Sequence, residues 1–150
     1  MSHHEAPTGD SAARIDDVVQ QALSRVLLGL HPRVQTDGVT ATATFTPEAE
    51  HRGAPGWVHG GLLATLLDHV GARLASAALD ARVATGTLEL RYRQPVLIDG
   101  GPYHVDARAE SPGSRTVRIH ARILGPDDRP LTEANGLFVA VAALAKDRDA

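Results

Sequence analysis

Two short features of this 150-residue chain could do chemistry together. The first is the triplet His59-Gly60-Gly61, which stands where a long charge-poor stretch begins. If that stretch is helical, its first turn presents free N–H groups and a partial positive charge. Glycine there lets an anion, or a carbonyl oxygen becoming one, come close to the backbone. The second feature is Asp68, whose neighbours at helical spacing, Ala64, Thr65, Gly71 and Ala72, are all small. A carboxylate walled in this way either packs against another backbone or borders a space that something else fills, because burying it unpartnered is costly. An oxyanion donor and a carboxylate base are the parts needed to hydrolyse an acyl compound. The same residues also fit a glycine-rich helix start followed by a buried aspartate held by hydrogen bonds.

Spacing adds one constraint. On a helix, Gly60 and Asp68 lie about 12 Å apart along the axis and on different sides. One carboxylate cannot serve a carbonyl held at its own helix's first turn. A shared reaction therefore requires a second copy of the helix, as in a two-fold homodimer.

The element that must position both groups is a helix from about Gly60 to Leu79, apolar around most of its circumference and so expected inside its own protein. Its one broad polar stripe is Thr65, His69, Arg73, Ser76 and Asp80. A helix capped by Asp10 or Ser11 and ended by Gly29 and Pro32 carries Ile15, Val18, Val19, Ala22, Leu23, Val26, Leu27 and Leu30 at helical spacing. A strand pair follows at 33–35 and 39–45 across Asp37-Gly38, with Val39, Ala41, Ala43 and Phe45 on the buried face. The loop from Pro47 to Val58 carries no secondary-structure signal. After the helix come strands at 83–93, 103–110, 115–124 and 131–144, the last closing the sheet. Short turns make them antiparallel. The fold class is α+β: an antiparallel sheet wrapped around one long central helix, in a single domain with tails at 1–9 and 146–150.

Composition removes several function classes. Net charge is −3, so there is no broad electrostatic case for nucleic acid. Cysteine is absent, which excludes disulfides, thiolate metal sites and a cysteine nucleophile. His31, His51, His104 and His120 show no ligand spacing, and His3 and His4, which could bind metal weakly, fit better as part of a mobile end, so neither metal nor cofactor is expected. Charge-poor runs look too short and too interrupted to span a bilayer, and the N-terminus lacks the form of a signal peptide. A cytoplasmic protein is the simplest expectation. Lys146 is the only lysine among abundant arginine and alanine, which suggests a GC-rich bacterial coding sequence. There is no G-x-S-x-G elbow, P-loop or dinucleotide fingerprint.

Gly53-Ala-Pro-Gly56-Trp-Val-His59-Gly60-Gly61, then Asp68, then Thr85-Gly-Thr-Leu-Glu-Leu-Arg-Tyr92-Arg-Gln-Pro95, resembles the hotdog-fold acyl-CoA thioesterases, especially the phenylacetyl-CoA thioesterase-like members. The resemblance runs over residues 34–144 in order of elements. It implies an acyl-CoA substrate, the Gly60 N–H on the thioester oxygen, and His59 shaping the turn. It further implies Asp68 as general base or nucleophile from the opposite subunit, with Thr85 assisting the water. Many members carry an amide in the loop before the histidine, whereas this chain has Gly53, Ala54, Pro55 and Gly56. Strict alternation puts Thr85 with Thr87 and Glu89, away from the apolar Leu88, Leu90 and Tyr92, unless a bulge intervenes.

Further substrate-binding candidates are Gly61, Trp57, as pocket wall or loop anchor, and Arg115, which could hold a CoA phosphate. Arg91 and Arg93 are similarly placed on strands, and His69 reads as a solvated or hydrogen-bonded member of the polar stripe. The expected assembly is a homodimer, with two dimers able to associate face to face or back to back. No nucleic-acid or membrane partner is expected. Two other readings stay open: a non-catalytic acyl-CoA-binding protein, and a hotdog enoyl-thioester hydratase or dehydratase.

Overall fold

The computed structural model describes Leu27, Gly29, Leu30 and residues 32–143. Most of the N-terminal helix expected at 10–30, both tails, His3, His4, His31 and Lys146 lie outside the described residues. At the end of that stretch the Leu30 N–H donates to Leu27 O (3.0 Å) and Gly29 has φ +82°. Leu27 and Leu30 are both buried.

Strands β1 (Gln35–Thr36) and β2 (Thr40–Phe45) form the first hairpin. Its turn has Gly38 at φ +85°, and Asp37 Oδ1 accepts from the N–H groups of Val39 (2.8 Å) and Thr40 (2.7 Å). Those backbone donors hold the exposed Asp37 carboxyl below its ordinary range. Val39 corrects the expected pattern: it belongs to the turn and is 62% exposed, whereas Ala41, Ala43 and Phe45 are buried.

The helix Gly60–Leu79 comes next, followed by β3 (Ala81–Tyr92), β4 (Tyr103–Glu110), β5 (Thr116–Leu124) and β6 (Pro130–Ala143). All pairs are antiparallel, in the spatial order β1-β2-β4-β5-β6-β3. The last strand therefore does not close the sheet. It lies between β5 and β3, and twelve-residue β3 forms one edge of the sheet, with two-residue β1 at the other. A chain-order reading misses this because β3 leaves the helix C-terminus and pairs only with the strand made last.

The inner face meets the helix through Leu62, Leu63, Leu66, Leu67, Val70, Gly71, Leu74 and Ala75, all buried. The Phe138 ring sits in a slot between two glycines: a Cβ would come within 2.9 Å of it at Gly71 and 2.7 Å at Gly136. The outer face is polar, and the register row Thr42, Asp106, Arg122, Glu133, Arg91 alternates in charge. Arg122 is paired with Asp106 (2.7 Å) and Arg93 with Glu133 (2.6 Å).

Contrary to the sequence expectation, the helix is long and apolar enough to cross a membrane, with a mean hydropathy of 1.3 over an 18-residue window. Here its leucines are spent on the inner face of the sheet.

Thr132 carries a buried hydroxyl with no hydrogen-bond partner among the described residues. An unsatisfied buried hydroxyl costs about 1–3 kcal/mol, and an apolar isostere removes that cost. Thr132→Val should therefore raise the melting temperature by about 2–4 °C, the shift that 1 kcal/mol gives a chain of this size. A thermal melt showing a lower value would mean the hydroxyl has a partner in solution.

Candidate active site

The approach to the helix is stitched by its backbone. Trp57 N–H donates to Ala54 O (3.0 Å) and Gly53 N–H to Trp57 O (2.9 Å). With Pro55 second and Gly56 third at φ +81°, Ala54–Trp57 is a type II turn. Val58 N–H reaches Val96 O (2.8 Å), Ile98 N–H reaches Gly56 O (2.9 Å), and His59 N–H reaches His51 O (2.9 Å). His51 is buried, and its Nδ1 accepts from Glu48 N–H (2.8 Å) in a short 3₁₀ turn, Ala49–His51, that the sequence did not signal. A Cβ on Gly53 would lie 2.9 Å from the His59 Cα, so glycine is required where these two strands of the loop cross.

At the helix start His59 is the N-cap, and its Nδ1 accepts from Gly61 N–H (2.9 Å). His59 O accepts from both Leu62 N–H (3.1 Å) and Leu63 N–H (3.2 Å). Of the first-turn amides, only Gly60 N–H has no acceptor among the described residues. No acidic side chain stands in that turn to offset the positive end of the helix. The arrangement separates the two glycines: Gly60 presents a free donor, while the Gly61 donor is already used.

Two turns along, Asp68 is half-buried, and its Oδ1 accepts from Thr85 Oγ1 at 2.6 Å. Its other oxygen has no hydrogen-bond partner among the described residues. Thr85 reaches it because β3 carries a bulge. The register steps from Thr85 opposite Phe138 to Thr87 opposite Leu137, leaving Gly86 extra. A Cβ on Gly86 would meet Leu137 O at 3.1 Å. The bulge puts Thr85 on the helix side of the same strand that later points Leu88, Leu90 and Tyr92 inward.

Tyr92, which the sequence offered only as a strand position in a motif, donates from its hydroxyl to Gly60 O at 2.8 Å. Tyr92 is 51% exposed, and partial desolvation of its hydroxyl raises the phenol above the ordinary range, so it remains a donor across neutral pH. His69 is half-buried rather than solvated and makes no hydrogen bond among the described residues. Burial first, then the Arg73 guanidinium, hold its imidazole below the ordinary value against the opposing pull of Asp68. It is therefore mainly neutral at pH 7.

Within one chain the candidates form two groups. His59, Gly60, Gly61 and Tyr92 gather at the helix start. Asp68 and Thr85 lie about 12 Å further along. Arg115 is exposed at the foot of β5, where its main-chain oxygen accepts from Ala140 N–H (2.7 Å). The register row Thr116, Val139, Ala84 puts it at the Thr85 end of the sheet. Trp57 is 49% exposed and bridged to Leu97, itself 47% exposed. No group of three His, Asp or Glu residues suited to a metal ion occurs among the described residues.

A sequence profile of the Thioesterase superfamily matches residues 55–131, and the chain belongs to that superfamily. The matched span takes in the Pro55-Gly56 turn, the whole helix and strands β3 to β5. The chain is 32% identical over 96 residues to the acyl-coenzyme A thioesterase THEM4 of Xenopus laevis, a match covering 63% of this chain and 42% of that relative's length. Among solved structures it is similar to the conserved protein PA5202 of Pseudomonas aeruginosa (25% identity, TM-score 0.70, covering 80% of this chain and 94% of that one). It also resembles the PaaI protein of E. coli, from the phenylacetic acid degradation operon (17% identity, TM-score 0.70, 89% and 91% covered). A third likeness is smu.793 of Streptococcus mutans, solved bound to acetyl-CoA (14% identity, TM-score 0.70, 75% and 90% covered). The six-stranded antiparallel sheet around one long helix is the hotdog fold.

Proposed function

We propose that the chain is an acyl-CoA thioesterase, hydrolysing the thioester to a carboxylic acid and free CoA at a site shared between two subunits. The observation that carries this reading is the free Gly60 N–H at the positive end of the helix that also bears Asp68. The thioester oxygen rests on the Gly60 N–H of one subunit. Asp68 of the other, held by Thr85 through one oxygen, uses its second either to take a proton from a water that attacks the carbonyl or to attack the carbonyl itself, giving an acyl anhydride that water then hydrolyses to free acid and carboxylate. The C–S bond breaks and the CoA thiolate leaves, recovering a proton. His59 keeps the turn in shape, and Arg115 with Trp57 flank the substrate.

The two-subunit arrangement is supported by the helical distance between the groups, and by β3, which leaves one edge of twelve residues unpaired. Pairing that edge with its own copy about a two-fold axis would run two helices side by side in opposite directions. The reading carries with it a cytoplasmic homodimer.

The experiment is a screen of free-thiol release from aromatic, short and medium acyl-CoAs, with a crotonyl thioester included. Turnover to acid and CoA on at least one of them is expected. Saturable binding without hydrolysis would make the chain a binding protein, and water addition to the crotonyl double bond would make it a hydratase.

A further inference from the structure

We propose that Tyr92 is a positioning residue for the oxyanion turn: its hydroxyl, by holding the Gly60 carbonyl, fixes the direction of the free Gly60 N–H. The proposal rests on the thioesterase reading above and names a residue that acts through the turn without touching the substrate.

A glycine between two peptide planes points its N–H only as well as those planes are held. The plane before Gly60 is anchored by the His59 carbonyl, which takes two amide donors. The plane after it, joining Gly60 C=O to Gly61 N–H, is held at its N–H by His59 Nδ1 (2.9 Å) and at its oxygen by Tyr92 (2.8 Å). Two successive glycines give this turn a weak intrinsic preference for helix. The carbonyl has a second lone pair, so the tyrosine adds to whatever the helix supplies. The ring backs the contact, standing 3.4 Å from where a Gly60 Cβ would be.

The clamp depends on the same device that delivers Thr85 to Asp68. In a regular strand, residues 85 and 92 differ in parity and face opposite sides. The extra residue at Gly86 puts both on the helix side, so one strand grips the helix at its start and at its acid.

The test is Tyr92→Phe in the full chain, read by steady-state kinetics on the best acyl-CoA and by hydrogen exchange of individual amides. The expected result is a kcat lower by roughly tenfold with KM within about twofold, since small misplacements at a reacting centre act on the rate. The Gly61 amide should exchange roughly tenfold faster, as loss of about one hydrogen bond allows, while amides from Leu66 to Leu74 stay as protected as before. Unchanged Gly61 exchange would overturn the clamp. Faster exchange with unchanged kcat would overturn its role in positioning. If the unaltered chain hydrolyses no acyl-CoA, the thioesterase reading falls and the catalytic role falls with it, while Gly61 exchange still decides whether Tyr92 holds the turn.

Discussion

Asp68→Asn should leave the fold intact and lower thiol release by about 10²–10⁴-fold, the range set by losing a positioned general base. Asparagine has the same shape and still offers its carbonyl oxygen to the Thr85 hydroxyl, so the 2.6 Å contact has an acceptor in the variant. What is lost is the second oxygen, replaced by an amide nitrogen that can neither accept a proton nor attack. The side chain is half-buried, and the amide is nearly the size of the carboxylate it replaces. Thermal melts of the two proteins should superimpose within a few degrees. A variant with unchanged kcat would remove Asp68 from the chemistry, and one that unfolds would mark it as structural.

Gly60→Pro should cost about 10²–10³-fold in kcat, the usual loss of one oxyanion donor. Backbone donors are seldom open to mutation, but here the position is favourable. Gly60 is the first helical residue, where proline is well tolerated because its missing N–H would be unpaired anyway. His59, with φ −59° and ψ 129°, already has the extended conformation that a residue before proline prefers. The substitution thus removes the one free amide without a helical hydrogen bond going with it. It should still fold, since proline suits the first helical position, with the added ring in contact with Tyr92, which stands 3.4 Å from a Cβ at this residue. Full activity in a folded Gly60→Pro protein would show that this amide does not meet the substrate.

How far the fold could be read in advance depended on whether local pattern or distant pairing decided each part. Strand β4 matches its expected span end to end, because Tyr103, Val105 and Ala107 alternate cleanly between turn signals. The helix matches too, since His-Gly-Gly starts it and Asp80, at φ 49°, ends it. Val39 broke the pattern because the Asp37 side chain captured its backbone for the turn. The 3₁₀ turn at Ala49–His51 had no local signal because a buried histidine from within it supplies the acceptor. The place of β3 at the edge was not legible, since nothing in residues 81–92 states that the final strand will come between them and β5. The candidate site was legible as residue types, but its wiring was not. Thr85 turned inward only through a bulge whose sole sequence mark is Gly86. The tyrosine on Gly60 O comes from 32 residues away.

Mixed dimers test directly whether each site takes its oxyanion donor from one subunit and its acid from the other. Asp68→Asn and Gly60→Pro chains, each carrying a different tag, are co-expressed, and the doubly tagged heterodimer is isolated and assayed for thiol release. A shared site puts the intact Gly60 of the first chain beside the intact Asp68 of the second and both substitutions in the other site. The heterodimer should then recover about half of the normal turnover, although each parent homodimer is nearly inactive. A heterodimer as inactive as its parents would contradict the account, because both groups would then have to come from one chain.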